Sequence, residues 1–275
     1  MFRTAVALAA FIAASPALAQ STQASGLPDP NDQSDTFTLA AGGAYIADYE
    51  GSDDYKLTPF AAVRGRVSGL SFFSRGTYLY LDVLRRPKSG VDFDFGPIVG
   101  FRRERTGHIK DPFVRALPDR KTAIEVGGFA GVTFHGLTNP YDGLSFRVDV
   151  VHDVANAHKS TIVTPSIDFG TPLSKRTYVG ASVSADFVSD RYANYYYSIA
   201  PLSALPTYDA NGGMKNWKTS LLLNQSITGD LTHGLSLFGA GSFSRMTGSI
   251  ARSPIVANRG SRSQWQAAVG LAYTF

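Results

Sequence analysis

The stretch that decides the fold is Trp265-Gln-Ala-Ala-Val-Gly-Leu-Ala-Tyr-Thr-Phe275, WQAAVGLAYTF. Its side chains alternate. Trp265, Ala267, Val269, Leu271, Tyr273 and Phe275 share one face; Gln266, Ala268, Gly270, Ala272 and Thr274 share the other. A period of two is a strand, not a helix. Aromatic rings mark both ends of the apolar face, which suits a strand whose two ends sit at the two membrane–water interfaces. A terminal strand closing on an aromatic residue resembles the signal read by outer-membrane barrel-assembly machinery. Trp265, Val269, Leu271, Tyr273 and Phe275 are the residues expected to carry it.

The same alternation recurs upstream. Val91, Phe93 and Phe95 oppose Asp92 and Asp94. Leu144, Phe146, Val148 and Val150 oppose Ser145, Arg147, Asp149 and Val151. Thr177, Val179, Ala181, Val183, Ala185 and Phe187 oppose Tyr178, Gly180, Ser182, Ser184 and Asp186. Trp217, Thr219, Leu221 and Leu223 oppose Lys218, Ser220, Leu222 and Asn224. The polar faces carry full charges; a soluble sandwich would turn them to outer solvent and a barrel to a wet lumen, and the last strand favours the barrel.

At the N-terminus, Arg3 precedes an apolar run from Ala5 to Ala14, and Ala17-Leu18-Ala19 has the small-x-small form of a secretory cleavage site. Residues 1–19 are expected to be a cleaved signal peptide, with Ala17 and Ala19 at the cut. Residues 20–35, polar with two prolines, are expected to form a flexible periplasmic segment. The barrel is expected over 36–275. The chain has no cysteine, which excludes disulfides and thiolate metal sites. Its net charge is +4; without Arg3 it has 25 basic and 22 acidic side chains, and no dense basic block of the nucleic-acid kind. A mean hydropathy of −0.05 excludes a bundle of membrane helices but not a barrel, where alternate residues face lipid.

Counting back from the last strand places loops 248–261, 189–215 and 105–120 outside, and turns 229–234, 170–175 and 85–90 inside. Long connections fall on one side and short ones on the other, as bacterial barrels require. Eleven strands result, although termini on one side demand an even number. The parity of 69–84, GLSFFSRGTYLYLDVL, changes around Gly76. A turn there gives twelve strands, the favoured count; merging two early strands gives ten.

Three stretches then converge on one family. They are Tyr49-Glu50-Gly51-Ser52-Asp53-Asp54-Tyr55, Ser203-Ala204-Leu205-Pro206-Thr207-Tyr208 and Ser253-Pro254-Ile255-Val256. With Phe275 they resemble the MipA/OmpV (MltA-interacting protein) family over 36–275. The chain departs from the family pattern at Ala204, usually Gly, and at Arg252, usually an acid. The resemblance implies a non-catalytic, cofactor-free outer-membrane barrel that acts as a scaffold or anchor for murein-remodelling enzymes, such as a lytic transglycosylase and a murein synthase. Other members are described as porin-like or adhesive. A narrow channel lined by Asp92, Asp94, Arg147 and Asp149, or a surface adhesin, are the alternatives.

Four further clusters invite chemistry. Asp48, Glu50, Asp53 and Asp54 offer oxygen ligands to Ca²⁺, or form a solvated turn. His152, His158 and Ser160, near Asp153 and Asn156, have the residue types of a lipid hydrolase or make a polar strand end. Arg102, Arg103, Arg105, Arg252, Arg259 and Arg262 suit lipopolysaccharide phosphates, or are solvated loop charge. Tyr192, Tyr195, Tyr196, Tyr197 and Tyr208 either pack over the barrel mouth or form an adhesive surface.

Overall fold

In the computed structural model, residues 34–84 and 90–275 are described. Ala17, Ala19, the rest of 1–19, residues 20–33 of the N-terminal segment and residues 85–89 of the expected inner turn lie outside them.

Twelve antiparallel strands close into a barrel. They are β1 (Thr36–Ala47), β2 (Tyr55–Val67), β3 (Leu70–Arg75), β4 (Tyr78–Asp82), β5 (Val91–Arg102), β6 (Ala123–His135), β7 (Gly143–Asp153), β8 (Thr161–Pro172), β9 (Thr177–Val188), β10 (Gly213–Ser226), β11 (Gly234–Met246) and β12 (Ser263–Thr274). The helical elements are short: α1 (Pro112–Arg115), α2 (Asp190–Tyr197), a 3₁₀ turn (Ile250–Arg252) and α3 (Pro254–Ala257). All lie in connections at one end. The other end has short turns, so the long-loop end is the outer one.

The expected strand limits hold to within three residues. Gly76 makes the turn between β3 and β4 with φ +57°, a conformation that only glycine adopts freely. That turn yields twelve strands rather than ten. It also explains the parity change at 69–84: β3 points Phe73 into the lumen and β4 points Tyr80 there, where their rings stack at 4.9 Å.

β12 closes the barrel against β1, in register from Thr38↔Thr274 to Tyr45↔Ala267. The Phe275 amide extends this ladder by donating to Phe37 O at 2.9 Å. The Phe275 ring lies 6.0 Å from Phe37 and 4.8 Å from Tyr273, forming part of an inner aromatic belt. Trp217, Phe243 and Trp265 form the outer belt beside β10–β12, and Tyr45 stacks on Tyr55 beside β1 and β2. Between the belts the outward residues are apolar and exposed, among them Leu39, Leu57, Val148, Val183, Leu221 and Val269. Lipid is the solvent that makes such a surface stable.

On the lumen side one row reads Phe60–Gly42–Gly270–Phe238. A Cβ at Gly42 would stand 2.2 Å from Val269 O, and one at Gly270 would stand 2.8 Å from Phe238 Cζ. Glycine at both positions lets Phe60 and Phe238 meet edge to face at 5.7 Å above the wall.

Candidate functional site: the outer mouth

The three family stretches, far apart in sequence, meet at the outer end. Tyr49 is buried and its hydroxyl donates to Ile255 O at 3.3 Å and Arg259 O at 3.1 Å. Gly51 adopts φ +104°, and a Cβ there would reach within 2.7 Å of Val256 Cγ2. Ser52 bridges Gly260 through the backbone, and the Gln264 amide clamps the loop, accepting from Gly51 N at 2.9 Å and donating to Ser52 O at 2.6 Å. Tyr208 pairs with Ile199 through the backbone and donates its hydroxyl to Ser249 O at 2.7 Å. Ser253 donates to Tyr197 O at 2.7 Å, and Pro254 opens α3.

Leu205, Ile255 and Tyr49 share an apolar cluster with Ile109, Val114 and Leu117 of the β5–β6 loop. That loop is fastened by Asp111, which caps α1 and pairs with Arg259 at 2.9 Å. Ser203 and Pro206 stay nearer the surface, Ser203 holding its own turn through Ala200 O at 2.7 Å.

Beneath this cap lies an ionic lock. A bulge between Met214 and Asn216 turns Lys215 inward beside Asn216, against strand alternation. Lys215 is 1% exposed and reaches Glu50 Oε1 at 2.6 Å and Asp186 Oδ2 at 3.1 Å. The Tyr197 hydroxyl donates to Glu50 Oε2 at 3.0 Å, and the Glu50 amide donates to Glu104 Oε2 at 2.8 Å. A second group adjoins it: Glu125 accepts from Arg102 at 3.0 Å and from Tyr78, and pairs with His158 at 2.9 Å. Arg102 and Lys215 each lie 5.5 Å from the Tyr192 ring centre.

The electrostatics of the loop carboxylates differ. Burial opposes charge on Glu50, but the Lys215 ammonium and then the Arg102 guanidinium outweigh it and hold its pKa below the usual range. Burial, then the Glu50 charge, pushes Glu104 above that range. Burial also pushes the Tyr192 and Tyr197 phenols upward.

Deeper in the lumen, Arg147 lies against the faces of Tyr80, Phe73 and Phe129 at 5.2 to 5.9 Å and bonds Asp149 at 2.8 Å. Tyr80 donates to the same carboxylate at 2.9 Å. Asp92 pairs with His135 at 2.9 Å, Asp94 accepts from Thr133 at 2.8 Å, and Arg75 pairs with Asp168. The charges expected on the lumen face are there, and they are held by neighbours.

The other clusters resolve differently. The carboxylates of residues 48–54 disperse: Asp48 pairs with Lys56 at 3.1 Å, Glu50 enters the lock, and Asp53 is exposed. Among the described residues no group of three or more His, Asp or Glu side chains is arranged to hold a metal. The solvated-turn alternative also fails, because Tyr49, Gly51 and Ser52 are buried under the other loops.

His152, His158 and Ser160 do not form a triad. His158 is committed to Glu125, Ser160 Oγ lies 2.6 Å from Ser189 Oγ, and His152 binds Thr161 at 2.9 Å on the exposed face. The backbone turns at Asn156 and Lys159, both at positive φ, so strand parity does not carry across the segment.

Of the six arginines, Arg102 is in the lock and Arg105 donates to Tyr196 O at 2.8 Å. Arg259 holds Asp111, and Arg262 holds Ala251 O at 3.0 Å. Arg103 and Arg252 remain exposed. Internal satisfaction thus takes most of the charge expected to face lipopolysaccharide. Tyr192, Tyr196 and Tyr197 are buried over the mouth, with Tyr195 and Tyr208 packed against them.

Sequence reasoning missed the lock itself. Lys215 stood inside an expected loop, and only two adjacent inward polar residues at a strand start could have signalled the bulge. Glu104 and Glu125 were isolated acids, and Asp186 was simply one lumen residue.

A closed barrel with a lipid-facing apolar band, two aromatic belts and a polar lumen defines a membrane-spanning β-barrel protein of the outer membrane. The chain belongs to the MipA family, described as MltA-interacting protein MipA, which it matches over residues 39–275. No curated protein matches it. Among solved structures it is similar to an outer membrane channel from Pseudomonas putida F1, with 11% identity, 90% of this chain and 99% of that one covered, and a TM-score of 0.43. It is also similar to an anion-selective porin from Comamonas acidovorans, with 9% identity, 88% and 99% covered, and a TM-score of 0.38.

Proposed function

We propose that this protein is a non-catalytic, sealed outer-membrane anchor that works through its inner face as a scaffold for murein-remodelling enzymes. The observation that carries the reading is the lock at the outer mouth. Lys215, Glu50 and Asp186 are tied together beside Tyr197 at the outer end of the barrel, and this reading takes them to close it to solutes. A barrel closed to the outside keeps its inner turns and its N-terminal segment as partner surfaces. The family description, MltA-interacting protein, supports a protein partner; the partners proposed are a lytic transglycosylase and a murein synthase.

Chemical crosslinking in intact envelopes, followed by pull-down on this protein, tests the scaffold. Recovery of a lytic transglycosylase or murein synthase above the level seen with an unrelated barrel is expected. Recovery of only assembly factors and lipopolysaccharide overturns it. Deleting residues 20–35 separates the docking routes: lost capture assigns it to that segment, retained capture counts against it and leaves the inner turns. In planar bilayers the pure protein is expected to remain silent; regular single-channel steps would favour the channel alternative.

A further inference from the structure

The wall is not equally complete all round. β9 and β10 pair along their whole length, but β2 pairs with β3 only from Arg64↔Phe73 to Val67↔Leu70. The β3–β4 hairpin stops at Gly76, and β4 meets β5 only from Tyr78↔Gly100 to Tyr80↔Ile98. On its other side β2 is laddered to β1 from Tyr55 to Arg66. The outer half of β2 therefore borders a wedge with no strand beside it among the described residues.

Backbone alternation identifies the groups that line this wedge. Both the N–H and C=O of Val63 point toward β3, where Ser74 Oγ bonds them at 2.9 and 3.2 Å. Two-residue periodicity makes Ala61, Pro59 and Leu57 point the same way. At the outer limit Lys110 Nζ of the β5–β6 loop caps Tyr55 O at 2.5 Å. Between these two caps the edge has no strand partner.

The depth is that of the outer leaflet. Leu57 is 76% exposed, just below the stacked Tyr45 and Tyr55 rings. Free strand edges do not persist in hydrocarbon unless they are covered or line a wet cavity. Pro59 has no N–H, so an added strand could not form a continuous ladder here. A paired strand is thus a poor cover, and the N–H and C=O groups of Leu57 and Ala61 need a polar group rather than hydrocarbon alone. Lipid is the material present at that depth, and Thr58, Phe60 and Ala62 carry the lumen face directly behind the edge.

We propose that the wedge between β2 and the β3–β4 hairpin is a lateral port. The acyl chain of an outer-leaflet amphiphile enters the lumen there, and its polar group meets the free carbonyls of Leu57, Pro59 and Ala61. If the mouth above is closed as proposed, this side entrance is the route left between the lumen and the outer leaflet. The port shares with the scaffold reading only the closed outer mouth; the unpaired edge of β2 carries it, and the labelling below tests it apart from partner capture.

The chain contains no cysteine, so single introduced cysteines are unique labelling sites. Thr58→Cys, Ser220→Cys and Leu221→Cys are labelled with bimane, refolded and reconstituted in phospholipids brominated along their acyl chains. Thr58 and Ser220 both face the lumen, one behind the wedge and one behind continuous wall; Leu221 faces lipid. The expected result is loss of fluorescence at Thr58 approaching that at Leu221, with Ser220 spared. Quenching at Thr58 no greater than at Ser220 overturns the port. Leu57→Cys adds a control: a label there shielded from bromolipid means that another chain covers the edge, which also overturns it. Should Thr58→Cys fail to fold, Ala62→Cys reports from the same face.

Discussion

The two ends of this barrel are built on different principles. At the outer end the bonds connect residues remote in sequence: Lys215 to Glu50 is a separation of 165 residues, and Tyr49 to Ile255 one of 206. At the inner end the described turns rely mainly on short-range bonds, with a few ties between neighbours such as Leu231 N to Lys175 O at 2.9 Å and Asn139 Nδ2 to Thr171 Oγ1 at 2.9 Å. Asp142 accepts from Leu137 N at 2.8 Å and Thr138 N at 2.6 Å, and Asp230 accepts from Thr232 N at 2.8 Å. A defect at an inner turn is expected to reach no further than a neighbouring turn or strand. A defect at the outer end frees several loops together, because each loop is the support of another.

Lys215→Met should break this asymmetry most severely. It leaves Glu50 and Asp186 buried without their cation, which costs about 3–5 kcal/mol where one partner of a buried pair is removed. The temperature at which the folded band disappears on semi-native gels should fall, and bilayer current should appear as the mouth loosens. Adding Glu50→Gln and Asp186→Asn should restore much of the stability, since removing every charge avoids the uncompensated state. A Lys215→Met protein as silent and heat-stable as the parent would mean the lock does not hold the mouth.

Gly51→Val attacks the same end through the backbone. The left-handed φ and the contact with Val256 both oppose a branched side chain, and a loss of about 1–3 kcal/mol is expected. The matching change inside is Asp142→Ala. It removes a carboxylate whose burial is offset by donors from Thr138, Leu137 and Asn139, which hold its pKa below the usual range. A loss of about 1 kcal/mol is expected from the broken turn, with the mouth still closed. Current in Asp142→Ala would contradict the independence of the two ends.

Legibility in the sequence divides along the same line. The barrel and its lipid faces were readable because a period of two is a local property: Trp265 to Phe275 and Val91 to Phe95 show it within a few residues. Gly76 was readable as a break, because parity changed across it. The outer end was readable only as three short stretches. Nothing local in Tyr49–Tyr55 indicates that Tyr49 will lie beneath Ile255 or that Glu50 will meet a lysine displaced by a bulge. Loop burial depends on partners from other loops, so charges that looked solvated at Glu50, Arg105 and Arg259 proved to be internally bonded.

The smallest expected effect tests the electrostatics of the lock alone. Glu104 keeps its proton to higher pH in the folded protein than in the unfolded chain, through burial and then the Glu50 charge. Stability therefore falls as pH rises from the ordinary carboxylate range through the folded value, and the cost remains at neutral pH. Glu50 has the opposite sign: its contribution is complete above the ordinary range and is lost as pH falls through its lowered folded value. Glu104→Gln keeps an oxygen acceptor for the Glu50 amide while removing the titration. The variant should match the parent at pH values where Glu104 is protonated and exceed it slightly at neutral pH, leaving the Glu50 slope as the clearer feature of the profile. Parallel profiles for parent and variant, measured by heat denaturation in detergent across pH 3 to 8, would show that Glu104 does not oppose the lock. The same substitution in an Asp142→Ala background should shift stability by the same amount, because the two residues stand at opposite ends of the barrel and share no partner.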